Sequence, residues 1–273
     1  MAGSTMAYPL STRDIHVLEK INDPESDPSA GVAIDRSLPA DPHVKDQSTY
    51  LKIVQQEKEV IFPMQSLELQ IAGQRPSSGL DVVEEYRRCV TSLDDLIKSY
   101  PDYASARNNR AQALRRLYGD SMLVEGASPF PQVLIRDAEE SERMEAARTV
   151  LLDLDRSVAL LSPDHPKASL SAQAAKTLSM AHTQRAAIYH MTSKLLASGR
   201  SVSLDSSRRE AAWGRLEFEE AASRDFALGG RYGNEIAKGL AVSTNPTAKL
   251  CGQIVREAMK KEYGPAFGVC DAE

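Results

Sequence analysis

Asn108, Asn109, Gln112 and Arg116 follow one another at steps of one, three and four residues in the stretch YASARNNRAQALRRLYG, Tyr103–Gly119. That spacing puts them on one side of a helix. With Ser105 one turn earlier, they offer hydroxyl, amide and guanidinium groups. Such groups hold a peptide by its backbone or its carboxylates, through hydrogen bonds and without proton transfer. Thr183 and Gln184, with Met180 and Ala187, form a second set in and before TQRAAIY. Signatures of catalysis are missing from the chain: there is no G-x-S-x-G, no Walker-type Gly-Lys-Ser/Thr loop, no G-x-G-x-x-G and no H-E-x-x-H. His182 and His190 lie two turns apart without a third ligand nearby in sequence, and a metal wants three or four. Cys251, between Leu250 and Ile254, reads as a core thiol rather than a nucleophile. The expectation is a non-enzymatic binding protein with no cofactor and no metal.

The helix that carries the first set has Ala106, Ala111 and Ala113 on its packing face, with Leu114 and Leu117 beside them, and Gly119-Asp120 ends it. A face that small wants a second helix pressed close. The run N-N-R-A-Q-A-L, with Gly-Asp behind it, is the inner-helix signature of a tetratricopeptide repeat. TQRAAIY sets Gln184-Arg185-Ala186-Ala187 on Asn109-Arg110-Ala111-Gln112, which makes a second copy. The fold expected is all-α: three helix-turn-helix repeats, near residues 64–103, 104–163 and 168–228, stacked as a right-handed superhelix.

Around the repeats, residues 1–47 read as a flexible tail that is extended from Pro24 to about Pro42. A short amphipathic helix at Asp14–Ile21 carries Ile15, Val17, Leu18 and Ile21. A further helix at Ser48–Val60 is expected to end at Phe62-Pro63, with the first inner helix starting at Met64. Long loops interrupt the repeats at residues 121–143 and 198–207. Beyond Gly229-Gly230, residues 229–273 form a helical cap, whose last helix (Pro246–Tyr263) has an apolar stripe of Leu250, Cys251, Ile254, Val255, Ala258 and Met259 to cover the open end of the stack.

A net charge of −5 and a pI near 5.7 give no general attraction to nucleic acid or an anionic membrane. No apolar run approaches the roughly 20 residues that span a bilayer, and no secretory signal is read at the N-terminus. Cys89, Cys251 and Cys270 are odd in number and lack ligand spacing, which suits reduced thiols in the cytoplasm or nucleus. Arg107, Arg110, Arg115 and Arg116 read either as a solvated face or as a patch for phosphate or an acidic peptide. Asp153, Asp155 and Arg156 read as surface charge pairs.

The runs ASARNNRAQALRRLYGD, DLDRSVAL, TQRAAIY and LEFEEAASRDFALGG, closed by NPTAKLCGQIVREAM, occur in an order that resembles the tetratricopeptide repeat protein 36 family. The resemblance covers most of residues 15–263, with the long loops as departures. It implies a protein-interaction factor whose partner is Hsp70 or, through a link to tyrosine metabolism, a metabolic enzyme that it stabilises. A concave groove lined by the inner helices would receive the partner. Asn109 occupies one position of the clamp that holds chaperone tails, or else satisfies a neighbouring helix. Glu68, Ala72, Met180 and Gln184 stand where that clamp requires cations, so tail binding of that kind is not expected.

Overall fold

The computed structural model describes residues 31–76, 79–129, 132–165 and 168–263. Short polar residues start most of its helices by accepting hydrogen bonds from the free N–H groups of the first turn. Asp46 caps α1 (Gln47–Ile71) at 2.7 Å from Thr49 N, and Asp81 caps α2 (Val82–Ser99) at 2.9 Å from Val83 N. Next come α3 (Ala104–Tyr118) and α4 (Glu140–Leu161). Ser171 caps α5 (Ala172–Ala197). A 3-10 turn, Arg209–Ala212, precedes α6 (Arg215–Arg231). Asn234 and Asn245 cap α7 (Glu235–Thr244) and α8 (Pro246–Tyr263). The described residues are thus all-helical, with isolated β-bridges in place of strands.

Each helix packs on the next in chain order, and α3 also touches α1 and α5. The alanine face of α3 explains the close approach: Ala104, Ala106, Ala111 and Ala113 are fully buried. Leu117, Leu151, Leu154, Ile188, Tyr189 and Phe218 fill the main core between α3, α4, α5 and α6. Trp213 sits at the end of the 3-10 turn, its ring 5.2 Å from Phe218 and 5.5 Å from Tyr189. No described helix is long and apolar enough to cross a membrane.

Several expectations fail in instructive ways. The break expected at Phe62-Pro63 does not occur: α1 runs unbroken through Pro63. The ring faces solvent, so the lost hydrogen bond falls on the outer side, while Ile53, Glu57, Met64 and Leu67 hold the inner side. Pro63→Ala is therefore expected to stabilise by on the order of 1 kcal/mol, below the roughly 3 kcal/mol that proline costs in a straight helix interior. A urea titration checks this.

Residues 31–46, expected within a flexible tail, lie against the array. Val32 N donates to Arg231 O at 3.2 Å, Asp35 N and Leu170 O pair at 2.9 Å, and His43 Nε2 donates to Leu160 O at 2.8 Å. The helix expected at 14–21 lies outside the described residues.

The two long loops pair with each other. Val124 bridges Val202, Ser203 N donates to Leu123 O at 2.9 Å, and Met122, Leu123 and Val124 are fully buried. Gly119 turns the chain into the first loop at φ +78°, a conformation that glycine reaches without strain. A Cβ there would also lie 2.7 Å from Val133 Cγ2, so the loop closes on the end of α3.

At the far end the apolar stripe of α8 stays open, with Leu250, Ile254 and Val255 all more than half exposed. Cys251, expected as a core thiol, is exposed beside them, whereas Cys89 is buried and burial raises its thiol pKa. Cys270 lies outside the described residues.

Candidate protein-binding groove

The side of α3 that carries Asn108, Asn109, Gln112 and Arg116 runs between α1 and α5, and the polar groups on it are largely taken by those neighbours. Glu57 of α1, almost fully buried, accepts from Tyr103 Oη at 2.7 Å and from Asn109 Nδ2 at 2.8 Å. Burial pushes the Glu57 carboxyl above its ordinary range, and these donors act against that shift. Asn109 therefore braces α3 on α1. Asn108 is 2% exposed and Gln184 7% exposed, so neither faces a ligand. They meet each other instead: Gln184 Nε2 donates to Asn108 Oδ1 at 2.8 Å, and Gln184 Oε1 accepts from Arg115 at 3.1 Å. Thr183 turns back to Ser179 O at 2.7 Å and accepts from Asn234 at 3.1 Å.

Because Gln184 satisfies buried groups on α3, Gln184→Ala is expected to destabilise the fold by about 1–3 kcal/mol. A thermal melt of that variant checks this.

Two sequence-predicted residues line an open cleft. Gln112 is exposed, and Arg116 is partly exposed. The cleft measures ≈ 430 Å³, and its other walls include Met64, Glu68, Arg115, Gln132 and Met191. Glu68 accepts from Arg116 Nε at 2.6 Å and also from Tyr86 Oη. Arg116 further donates to the Gln132 carbonyl of the first long loop, so that loop forms one wall of the cleft. The sequence reading missed Gln132, Val133 and Met191. The first two sit in a stretch with no periodicity, and Met191 is hidden in a continuous helical pattern.

The arginine row does not form an open basic patch. Arg107 and Arg110 both reach Asp153, which is fully buried, and Arg110 also reaches Asp94 at 2.6 Å. Arg115 holds Asp120 through two bonds. Asp153, expected at the surface, is thus the anchor between α3 and α4. His182 is likewise engaged inside: its Nδ1 donates to Asp225 at 2.8 Å, and its ring stacks 5.8 Å from Tyr232. No group of His, Cys, Asp and Glu that could hold a metal ion occurs among the described residues.

The chain is 35% identical over 268 residues to the L-tyrosine degradation gene cluster protein hmgX of Aspergillus fumigatus, a match covering 96% of this chain and 98% of that protein. The chain belongs to the hmgX family. No family model and no solved structure matches it.

Membership of the hmgX family corrects the resemblance to the tetratricopeptide repeat protein 36 family. Part of what carried that resemblance, such as Ala104, Ala106, Ala111 and Ala113, sits on a buried helical face, where close packing restricts the choice of residue in any array of paired helices. The hmgX match takes in nearly the whole chain, long loops as well as helices, and family identity rests on that extent.

Proposed function

We propose that this chain is a non-catalytic protein-binding factor that supports an enzyme of L-tyrosine degradation, acting in the cytoplasm. The observation that carries the reading is the near full-length relationship to hmgX, which is named for an L-tyrosine degradation gene cluster. In this reading the helical pairs stack as tetratricopeptide repeats, right-handed, and the partner enters the cleft beside Gln112 and Arg116. Two features of the cleft suit binding better than catalysis. Its arginines are already paired with Glu68 and Asp120, and its open rim is the Gln112 amide, a guanidinium edge and the Met191 side chain. Nothing in the fold or the comparison points to Hsp70, so the metabolic enzyme is the partner proposed.

The test is made in a host that grows on L-tyrosine. Removing the chain should lower the abundance or activity of one tyrosine-degrading enzyme, and adding the purified chain back should restore it at stoichiometric amounts. Turnover of L-tyrosine or its breakdown products by the purified chain alone would make it an enzyme and sink the proposal. Gln112→Ala with Arg116→Ala should weaken the association by about tenfold or more. The same pair should shift stability by less than about 1 kcal/mol, because Glu68 is half-exposed and its ion pair is screened.

A further inference from the structure

In a stack of helical pairs each unit is held by its neighbours, so the angle between distant units is passed along the row. Here α1 packs on α2 and α3, and α5 packs on α3, α4 and α6. The angle between α1 and α5 is therefore set through α3. That angle matters, because α1 and α5 wall the cleft from two sides. Met64 and Glu68 come from α1 and Met191 from α5, with Gln112 and Arg116 of α3 between them.

Residues 31–46 add a second route between the same helices. Val32 N donates to Arg231 O at the last turn of α6. Just before α5, Asp35 N donates to Leu170 O at 2.9 Å and Leu170 N to Ala33 O at 3.0 Å. Ser171, the cap of α5, donates its hydroxyl to Ala40 O at 2.9 Å, and His43 Nε2 donates to Leu160 O of α4 at 2.8 Å. Apolar side chains seat the segment at both ends. Val32 packs on the cluster of Leu161, Leu170 and Leu178, and Val44 on the cluster of Ile53, Leu93 and Leu96. Asp41, 5% exposed, accepts from His43 N at 2.8 Å and closes a turn between them. Two residues after Val44, Asp46 caps α1. From Ala40 to Val44 the chain can span at most roughly 14 Å, so the start of α1 is tied to the start of α5 with little slack.

We propose that residues 31–46 are a strap that fixes the angle between α1 and α5, and with it the width of the cleft. The tie acts at the N-terminal ends of the two helices, while Glu68 and Met191 lie about 30 Å further along them. Helices of that length act as levers: a tilt of about 10° moves the far end by roughly 5 Å. A cleft held at one width spares its partner part of the ordering cost of binding. For this role in binding the proposal rests on the reading of the cleft as a docking site. The width itself is measured without a partner, so either can fail while the other stands.

Four glycines inserted between His43 and Val44 give the tie roughly 13 Å of slack. The anchors on either side remain, apart from the 3.3 Å bond from Val44 N to Asp41 O. Spin labels on Gln65→Cys and Lys194→Cys, both exposed positions, report the separation of the two walls. Cys251→Ser and Cys270→Ser keep the labels to those sites. Pulsed electron paramagnetic resonance should show a distance distribution broader by about 5 Å in the slack chain. The same insertion between Ser37 and Leu38 lies outside the tie and should leave the distribution unchanged. His43→Ala with Val44→Ala removes an anchor on each side without lengthening the chain, and should also broaden it. Equal distributions in the slack and unmodified chains would overturn the proposal, as would equal broadening by the two insertions. If circular dichroism shows that the slack chain does not fold, the double substitution decides, and an unchanged distribution there overturns the proposal.

Discussion

Asp225→Ala is expected to cost about 3–5 kcal/mol and to lower the melting temperature by roughly 10 °C, because it strands a buried arginine. The Asp225 carboxylate, 4% exposed, accepts from Arg185 Nε and Nη2 at 2.7 Å each and from His182 Nδ1 at 2.8 Å. Its loss leaves Arg185 with Asp155 alone, in a site where water cannot replace the missing bonds. Asp95→Ala is the contrast. Its pair with Lys98 is fully solvated, and a change within about 0.5 kcal/mol is expected. A loss below about 1 kcal/mol for Asp225→Ala, measured by urea titration, would mean that water enters the α5–α6 interface. The same residue predicts a pH dependence. Burial on its own would raise the Asp225 pKa, but Arg185 and His182 together hold it below the ordinary carboxylate value. A carboxyl lowered in the fold adds stability that is present above its unfolded pKa, about 4, and is lost as the pH falls through its folded pKa. Stability should therefore drop on acidification below about pH 4, with a shallower slope in Asp225→Asn.

Gly230→Ala is expected to open the α6–α7 hairpin, with a loss of about 3 kcal/mol, at the upper end of overpacking effects. A Cβ at Gly230 would lie 2.7 Å from Lys238 Cβ and 2.8 Å from Lys238 Cα. The obstacle is partly backbone, and no rotamer change relieves it. Gly229 is equally tight, with Thr183 Oγ1 at 2.6 Å. Gly239→Ala is the control: nothing lies within 4 Å of its added methyl, so the helix should gain slightly from the better helix former. Hydrogen exchange would locate the damage, with protection lost first in α7. If Gly230→Ala melts like the unmodified chain, α7 is free to shift outward, and the contact between the two helices is looser than its geometry implies.

These glycines show where sequence reading stops. Gly229-Gly230 reads as punctuation before a new helix, because glycine is a poor helix former. In the structure both lie inside α6, and their lack of a side chain serves the approach of α7. Pro63 misleads in the same way. Local propensity predicts a break, while packing on both sides of the turn carries the helix through.

What the sequence determined by itself is the class of structure and the places where helices form. Apolar residues every three to four positions, an alanine face at 104–113, and Asp, Ser and Asn caps act over a few residues, so their consequences can be read from neighbours in the chain. The polar residues of the groove are a different matter. Asn108 and Gln184 pair across 76 positions, Asn109 and Glu57 across 52, and Arg110 finds its carboxylate 43 positions away in Asp153. An amide on a helix surface carries no mark of whether it meets a ligand or another helix. Only the stacking of α1, α3 and α5 decides that, because a buried polar group must find its partner within hydrogen-bond distance wherever the chain brings one.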